Sequence, residues 1–297
     1  AMWKLLRWRP DVVYTTGGYV AIPVLAAAAL LRIPTLLWEG NRIPGRSVRL
    51  SARLATLRTV SYAATVDRLP APTFVTGTPI RDLGSVETSA ARARLGLTAD
   101  VPVLLGFGGS QAVKRLSDAV REALPDVVAR CYVLHITGES AIDEAEALRA
   151  SLSPEHQDRY RPYAFLREDM DAALSAADLL VGRAGSSTLA EAAAAGLPMI
   201  VVPYPHAAAH QKANAAEMVE AGAADLVDDE DLDGDTLRAA CDLLFDQRLA
   251  AMSGAALSVA RPGAAAAGAH LLEILAAREP LPSQDELDEL TRAASTT

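Results

Sequence analysis

Short apolar runs alternate with amphipathic or alanine-rich stretches of helical length along almost the whole chain, and no other feature restricts the fold more. An apolar run of strand length followed by a helix is the βαβ pattern of a parallel sheet covered on both faces. In the first part the strands fall at "DVVYT" (11–15), "PTLLWE" (34–39), "TVSY" (59–62) and "TFVTG" (73–77), with helices near 21–31 and 46–57. A polar linker after "TGTPIRDLG" (76–84) runs to Asp100. Beyond it, strands are expected near 101–107, 131–137, 159–163, 178–182, 198–203 and 224–228. Helices are expected near 111–124, 141–151, 168–176, 187–195, 208–221 and 234–247. That second part is a complete doubly wound α/β unit. The first part, with four strands in about 80 residues, falls short of the usual ~100–150-residue domain. "GAAAAGAHLLEILAAR" (263–278) reads as one more helix, and 279–297 as a polar, mobile tail.

Composition enters through what it excludes. A net charge of −9 argues against nucleic acid as the main partner. Cys131 and Cys241 have no metal-ligand spacing and suit a reducing compartment better than a disulfide framework. The five histidines form no HExxH pairing, so no bound metal is expected. "DEDLDGDTLRAA" (229–240) starts like a calcium loop but carries Ala240 where a bidentate carboxylate is needed; it reads as an acidic turn and helix cap. Asp169 and Asp171 form a D-x-D that opens a helix and reads as a cap. Arg32 and Pro34 interrupt the most apolar run, "AIPVLAAAALLRIP", before it reaches membrane-spanning length. No secretory leader pattern is present. The chain enters a helix almost at once after Ala1, a start that reads as cut.

Three strand-to-helix turns carry glycines: Gly17-Gly18-Tyr19, Gly108-Gly109-Ser110-Gln111, and Gly182 with Gly185 before Ser186. In an open α/β sheet such turns lie at the carboxyl ends of the strands, where ligands bind. Glycine lets the backbone approach a phosphate, and the helix start supplies N–H donors. Two readings of "GRAGSSTLAEAAAAGLP" (182–198) stay open from its residues alone. Thr188 and Glu191 fit the S/T-x-x-E capping box. The same helix start could seat an anion, with the Glu191 carboxylate accepting from a sugar diol. A further stretch, "NRIPGRSVRLSARLATLR" (41–58), spaces Arg42, Arg46, Arg49 and Arg53 by four, three and four, placing those in the helix on one face. Such a stripe is either a solvated face or a dock for anionic lipid headgroups.

Together these segments resemble the MurG family, bacterial transferases that add N-acetylglucosamine to undecaprenyl-diphospho-muramoyl-pentapeptide, converting lipid I to lipid II in peptidoglycan synthesis. "GGYVAIP", "WEGNRIPG", "VTGTPIR", "GFGGSQAVKRL", "REDMDAALSAADLLVGRAGSSTLAEAAAAGLPMIVVPYPHAAAHQKANA" and "EAGAA" follow the family's order. The resemblance covers about residues 9–275 and implies two facing Rossmann-like domains, the glycosyltransferase B fold. The acceptor and membrane-side domain would be 1–80, the UDP-sugar domain 81–262, and helix 263–278 would pack back on the first domain. It implies Ser110 at the diphosphate and Ser186, Ser187 and Thr188, with Leu189 and Ala190 in the same turn, around phosphate and sugar. Glu191 would hold the ribose hydroxyls. Asn41, His210 and Gln211 would surround the N-acetylglucosamine, Arg81 would stand between domains, and backbone at Leu166–Arg167 would read the uracil edge. Gly17, Gly18, Tyr19, Arg42, Arg46, Arg49 and Arg53 would face the lipid acceptor and an anionic membrane.

The sequence departs from the family at Gly40, Thr78, Ala112 and His210. The family's first βα unit, with a Gly-rich, histidine-bearing loop, would precede Ala1, so the chain reads as an N-terminally incomplete member. That loop holds the family's candidate base; Glu39 is the nearest remaining carboxylate. The expected reaction is inverting transfer from UDP-N-acetylglucosamine, without a cofactor or tightly bound metal. It would take place peripherally on the cytoplasmic face of the plasma membrane. Two alternatives stay open: a related transferase acting on another lipid acceptor, and a non-catalytic UDP-sugar-binding protein.

Overall fold

The computed structural model describes residues 1–83, 86–108, 113–205 and 208–292. The chain divides into two compact units, Ala1–Arg81 with Arg261–Thr297, and Asp82–Ala260. The first unit begins α1 (Met2–Trp8), β1 (Val13–Thr15), α2 (Ala21–Leu30), β2 (Thr35–Glu39), α3 (Arg46–Ser51), β3 (Leu57–Val60) and β4 (Thr73–Val75). Its strands form one parallel sheet in the order β1-β2-β3-β4. Successive residues of a strand point to opposite faces. Leu37 and Val60 therefore pack with Leu25 and Val48 on one side, while Leu36 and Leu57 face the other.

The helix expected over 46–57 ends early. It stops at Ser51, tightens into a 3-10 turn over Ala52–Leu54, and gives way to β3 at Leu57. Arg58 explains the change. Its buried guanidinium donates from Nη1 to the carbonyls of Ala52 (2.9 Å) and Ala55 (2.6 Å), and from Nε to Pro72 O (3.1 Å). Those first two carbonyls lie where the helix ends; Ala52 O also accepts from Ala55 N–H at 3.3 Å. Burial holds the Arg58 pKa below its ordinary value.

The second unit runs α4 (Thr88–Arg94), β5 (Val103–Phe107), α5 (Val113–Val127), β6 (Tyr132–Ile136), α6 (Ile142–Ser151), α7 (Pro154–Gln157) and β7 (Tyr160–Tyr163). It continues α8 (Met170–Ala176), β8 (Leu179–Gly182), α9 (Ser186–Ala194), β9 (Met199–Val201), α10 (Ala208–Glu220), β10 (Ala224–Leu226), α11 (Gly234–Leu243) and α12 (Arg248–Val259). All six strands are parallel, in the order β10-β9-β8-β5-β6-β7. Leu105, Leu134, Leu180 and Val201 fill one face, and Leu104, Val133, Leu179 and Ile200 the other. Burial on both faces is why these strands read as continuous apolar runs.

Two expectations in this unit change. The linker to Asp100 contains α4, because Arg92 donates to Ala176 O (3.1 Å) and pairs with Asp178 (2.6 Å), tying the segment to the sheet. The helix expected over 234–247 ends at Leu243, and α12 follows it with Met252 and Ala256 in the core.

The chain then returns to the first unit through α13 (Ala264–Ala277) and α14 (Gln284–Arg292). Ala267, Leu271 and Leu275 cover Leu36 and Leu57. The expected mobile tail is corrected over 284–292. There Leu287 is fully buried, and Gln284 both accepts from Val75 N–H and donates to Val75 O, at 2.9 Å each. Among the described residues no helix is long and apolar enough to cross a membrane.

Candidate active site

In the second sheet the chain runs β5 to β6 to β7 on one side, then returns to β8 on the other side of β5. Ligands of open α/β sheets bind in the crevice that this reversal opens at the strand ends. β5 ends at Phe107 and β8 at Gly182, which are register partners. A Cβ on residue 182 would stand 2.7 Å from Phe107 O, so glycine is what lets the two strands close here. Ser110, with Gly109 and Gln111, lies outside the described residues.

The loop after β8 leads straight into α9. Gly185 is the N-cap, in extended conformation (φ −69°, ψ 140°). The capping box expected from Thr188 and Glu191 does not form. The helix starts at Ser186, so Thr188 and Glu191 lie inside it, and glycine offers no side chain to the first-turn N–H groups. Ser187 is exposed, Ser186 and Thr188 are half-buried, Leu189 is in the core, and Glu191 is buried on the same helix. Ala190 is half-buried beside it. A helix start with free N–H donors and a carboxylate over a turn away offers an anion seat and a hydroxyl acceptor.

Arg183 escaped the sequence reading. Its buried guanidinium donates to Val202 O (3.2 Å) and Pro203 O (3.5 Å), pairs with Asp229, and lies 5.6 Å from the Tyr204 ring centroid. Asp229 also pairs with Arg115 (3.3 Å). The clamped backbone extends to Tyr204, whose N–H donates to Gln211 Oε1 at 2.8 Å. With its oxygen occupied, Gln211 presents its amide N–H groups as donors. α10 packs against α9, so Gln211 and the exposed His210 come from the helix next to Ser186–Glu191. The available signal was a charged residue directly after a buried strand, within a segment read for its glycines, its hydroxyls and Glu191.

Leu166 belongs to the core, which leaves only its backbone for recognition, and exposed Arg167 lies 5.5 Å from the Phe165 ring. Asp169 and Asp171 do not cap α8. Both pair with Arg94, at 2.6 and 3.2 Å. The 229–240 segment does form the expected turn and cap: Asp233 and Thr236 make a capping box at α11.

Gly17 and Gly18 in the first unit take left-handed conformations (φ 83° and 82°). A Cβ on residue 17 would sit 2.6 Å from Val48, so the glycine turn and α3 are in close contact. Tyr19 is 73% exposed beside them. Arg46, Arg49 and Arg53 are exposed and, with Leu50, line an open groove of about 480 Å³. Arg42 is half-buried in the preceding loop and does not line it.

Glu39 is buried and turned back on its own loop. Its Oε1 accepts from Asn41 N (2.8 Å) and Asn41 Nδ2 (2.9 Å), and its Oε2 from Gly45 N (3.1 Å). That makes it an organiser of the 40–45 loop, which holds Asn41 in place, and it departs from the expectation of a proton-accepting carboxylate. Arg81 is exposed at the end of the first unit's leading segment.

Two parallel α/β units, the second with a helix start at its switch point, define the class of the glycosyltransferase B fold. Residues 103–267 match the glycosyltransferase family 28 C-terminal domain, and residues 2–58 its N-terminal domain. The chain is 38% identical over 274 residues to the UDP-N-acetylglucosamine--N-acetylmuramyl-(pentapeptide) pyrophosphoryl-undecaprenol N-acetylglucosamine transferase of Moorella thermoacetica, covering 88% of this chain and 73% of that protein. It is 40% identical over 269 residues to the enzyme of the same name from Frankia casuarinae, covering 87% and 69%. The crystal structure of Acinetobacter baumannii MurG superposes with a TM-score of 0.71 at 29% identity, covering 92% of this chain and 76% of that one. The S. aureus MnaA–UDP co-structure shares the fold at 14% identity, with a TM-score of 0.68. The chain belongs to glycosyltransferase family 28, and within it to the MurG family.

Proposed function

We propose that the chain transfers N-acetylglucosamine from UDP-N-acetylglucosamine to N-acetylmuramyl-(pentapeptide) pyrophosphoryl-undecaprenol, with inversion and release of UDP. The observation that carries this is the 38% identity to a transferase of that activity, running through both units. In this reading the acceptor C4 oxygen attacks the anomeric carbon, its O–H proton passes to water, and the bond to the diphosphate breaks. The developing negative charge falls at the start of α9, where fixed N–H donors stabilise it without reorganising. Glu191 accepts from the ribose hydroxyls and Gln211 donates to the sugar. The turn at Gly17–Tyr19 and the arginine groove of α3 face the lipid-linked acceptor and anionic headgroups, giving peripheral attachment to the membrane.

The test is incubation with radiolabelled UDP-N-acetylglucosamine and either the muramoyl-pentapeptide lipid or diacylglycerol. Label is expected in the former. Transfer to diacylglycerol alone would overturn the acceptor, and donor binding without transfer to either would overturn the enzyme.

A further inference from the structure

The two cysteines, 110 residues apart in sequence, meet inside the second unit. Cys131 lies between α5 and β6, and Cys241 on α11, which packs along α5. Both are free and buried in one apolar cluster, with Sγ atoms 4.0 Å apart. A disulfide needs about 2 Å between sulfurs, so side-chain rotation and a small shift of α11 must supply the rest.

We propose that Cys131 and Cys241 form an intramolecular disulfide on exposure to hydrogen peroxide, a reversible cross-link that locks the second unit. The Cys241 thiolate attacks one peroxide oxygen. The O–O bond breaks, and the released hydroxide takes up a proton to leave as water, giving a sulfenic acid. The Cys131 sulfur then attacks the Cys241 sulfur; the S–S bond forms, the S–O bond breaks, and a second water departs. Two thiols are oxidised and one peroxide reduced, with two waters formed.

The surroundings favour that order of events. A hydrogen bond from Cys131 and the charge of Arg130 lower the Cys241 pKa, against burial and Asp242. Cys131 is raised by the hydrogen bond to Cys241 and by burial, opposed by Arg130 and Arg159. Once Cys241 is oxidised, the thiolate that retained the Cys131 proton is gone, which frees Cys131 to resolve the intermediate. Both sulfurs are buried, so the oxidant must be small, and peroxide is smaller than the disulfide oxidants. The cross-link closes a long loop that contains the whole 183–211 region, and its main effect is to restrict the unfolded chain.

The full chain is treated with peroxide beside a free-thiol peptide as an internal standard. Non-reducing peptide mapping should give a Cys131–Cys241 linked pair. The melting midpoint should rise by about 5 °C or more and fall back with dithiothreitol. UDP affinity should change by less than about twofold, since neither sulfur touches the α9 seat. Cys131→Ser and Cys241→Ser should each abolish both the link and the rise; if either variant fails to fold, the map of the unaltered chain decides. Free thiols persisting after the standard is consumed, sulfinic acid accumulating without a link, or links only between chains would each overturn the proposal.

Discussion

Arg183 ties three stretches of chain together, and what it holds is backbone. Its contacts fix the carbonyls of Val202 and Pro203 and the carboxylate of Asp229, and through Tyr204 they set Gln211. Arg183→Met should destabilise the second unit by about 3 kcal/mol, the lower end for breaking a buried pair, because Asp229 keeps Arg115. The Michaelis constant for the donor should also rise by about tenfold as Gln211 loses its anchor, about 1.4 kcal/mol of binding. Denaturant melts and initial rates check the two separately; a full-strength donor constant in a destabilised protein would confine Arg183 to stability. Glu191 is argued to act on the ligand itself: Glu191→Gln keeps the side-chain volume, removes the charge, and should weaken the donor by about 1.5–3 kcal/mol. Titration calorimetry against UDP-N-acetylglucosamine decides, and unchanged affinity would remove the carboxylate from the site.

Strand positions were legible because burial on both faces leaves an unbroken apolar run, and the switch-point turns were legible from their glycines. Element ends were less so. The 46–57 helix looked continuous because Leu57 and Arg58 keep helical spacing with the residues before them; only the sheet shows that Arg58 turns inward to the helix carbonyls. The 284–292 segment looked solvated because one buried leucine, Leu287, and one glutamine dock an otherwise charged helix. At α9 the sequence left a capping box and an anion seat both open; the helix begins at Ser186, which puts Thr188 and Glu191 inside it and removes the first. At α3 the stripe survives as three arginines around a groove. Replacing Arg46, Arg49 and Arg53 with Gln should reduce sedimentation with cardiolipin vesicles, each contact contributing about 1 kcal/mol within a Debye length of ~8 Å. Donor affinity should not move. Equal binding to neutral and anionic vesicles, insensitive to salt, would show a merely solvated face.

For the whole molecule, pH acts most plainly through His135, whose Nδ1 lies 2.9 Å from the Tyr160 hydroxyl and whose Nε2 lies 3.4 Å from Ser117 Oγ. Burial lowers its pKa to about 4 from the ordinary 6.5 and pushes that of the Tyr160 hydroxyl up. The unfolded chain therefore binds a proton that the folded chain refuses. Stability from this group is complete above the unfolded value and declines as pH falls towards the folded one, by about 3 kcal/mol in all. Urea melts between about pH 7 and about pH 5 should show that slope, and His135→Gln should flatten it; parallel slopes would assign the loss elsewhere. The net charge of −9 sets a general background, and it opposes the local attraction of the α3 groove to anionic lipid. The return of α13 and α14 to the first sheet has a consequence for order in time. A ribosome delivers residues 1–81 first, yet Leu36 and Leu57 stay uncovered until Leu271 and Leu287 emerge more than 200 residues later. The second unit, continuous in the chain, can close as it leaves the exit tunnel, so the half begun first is finished last.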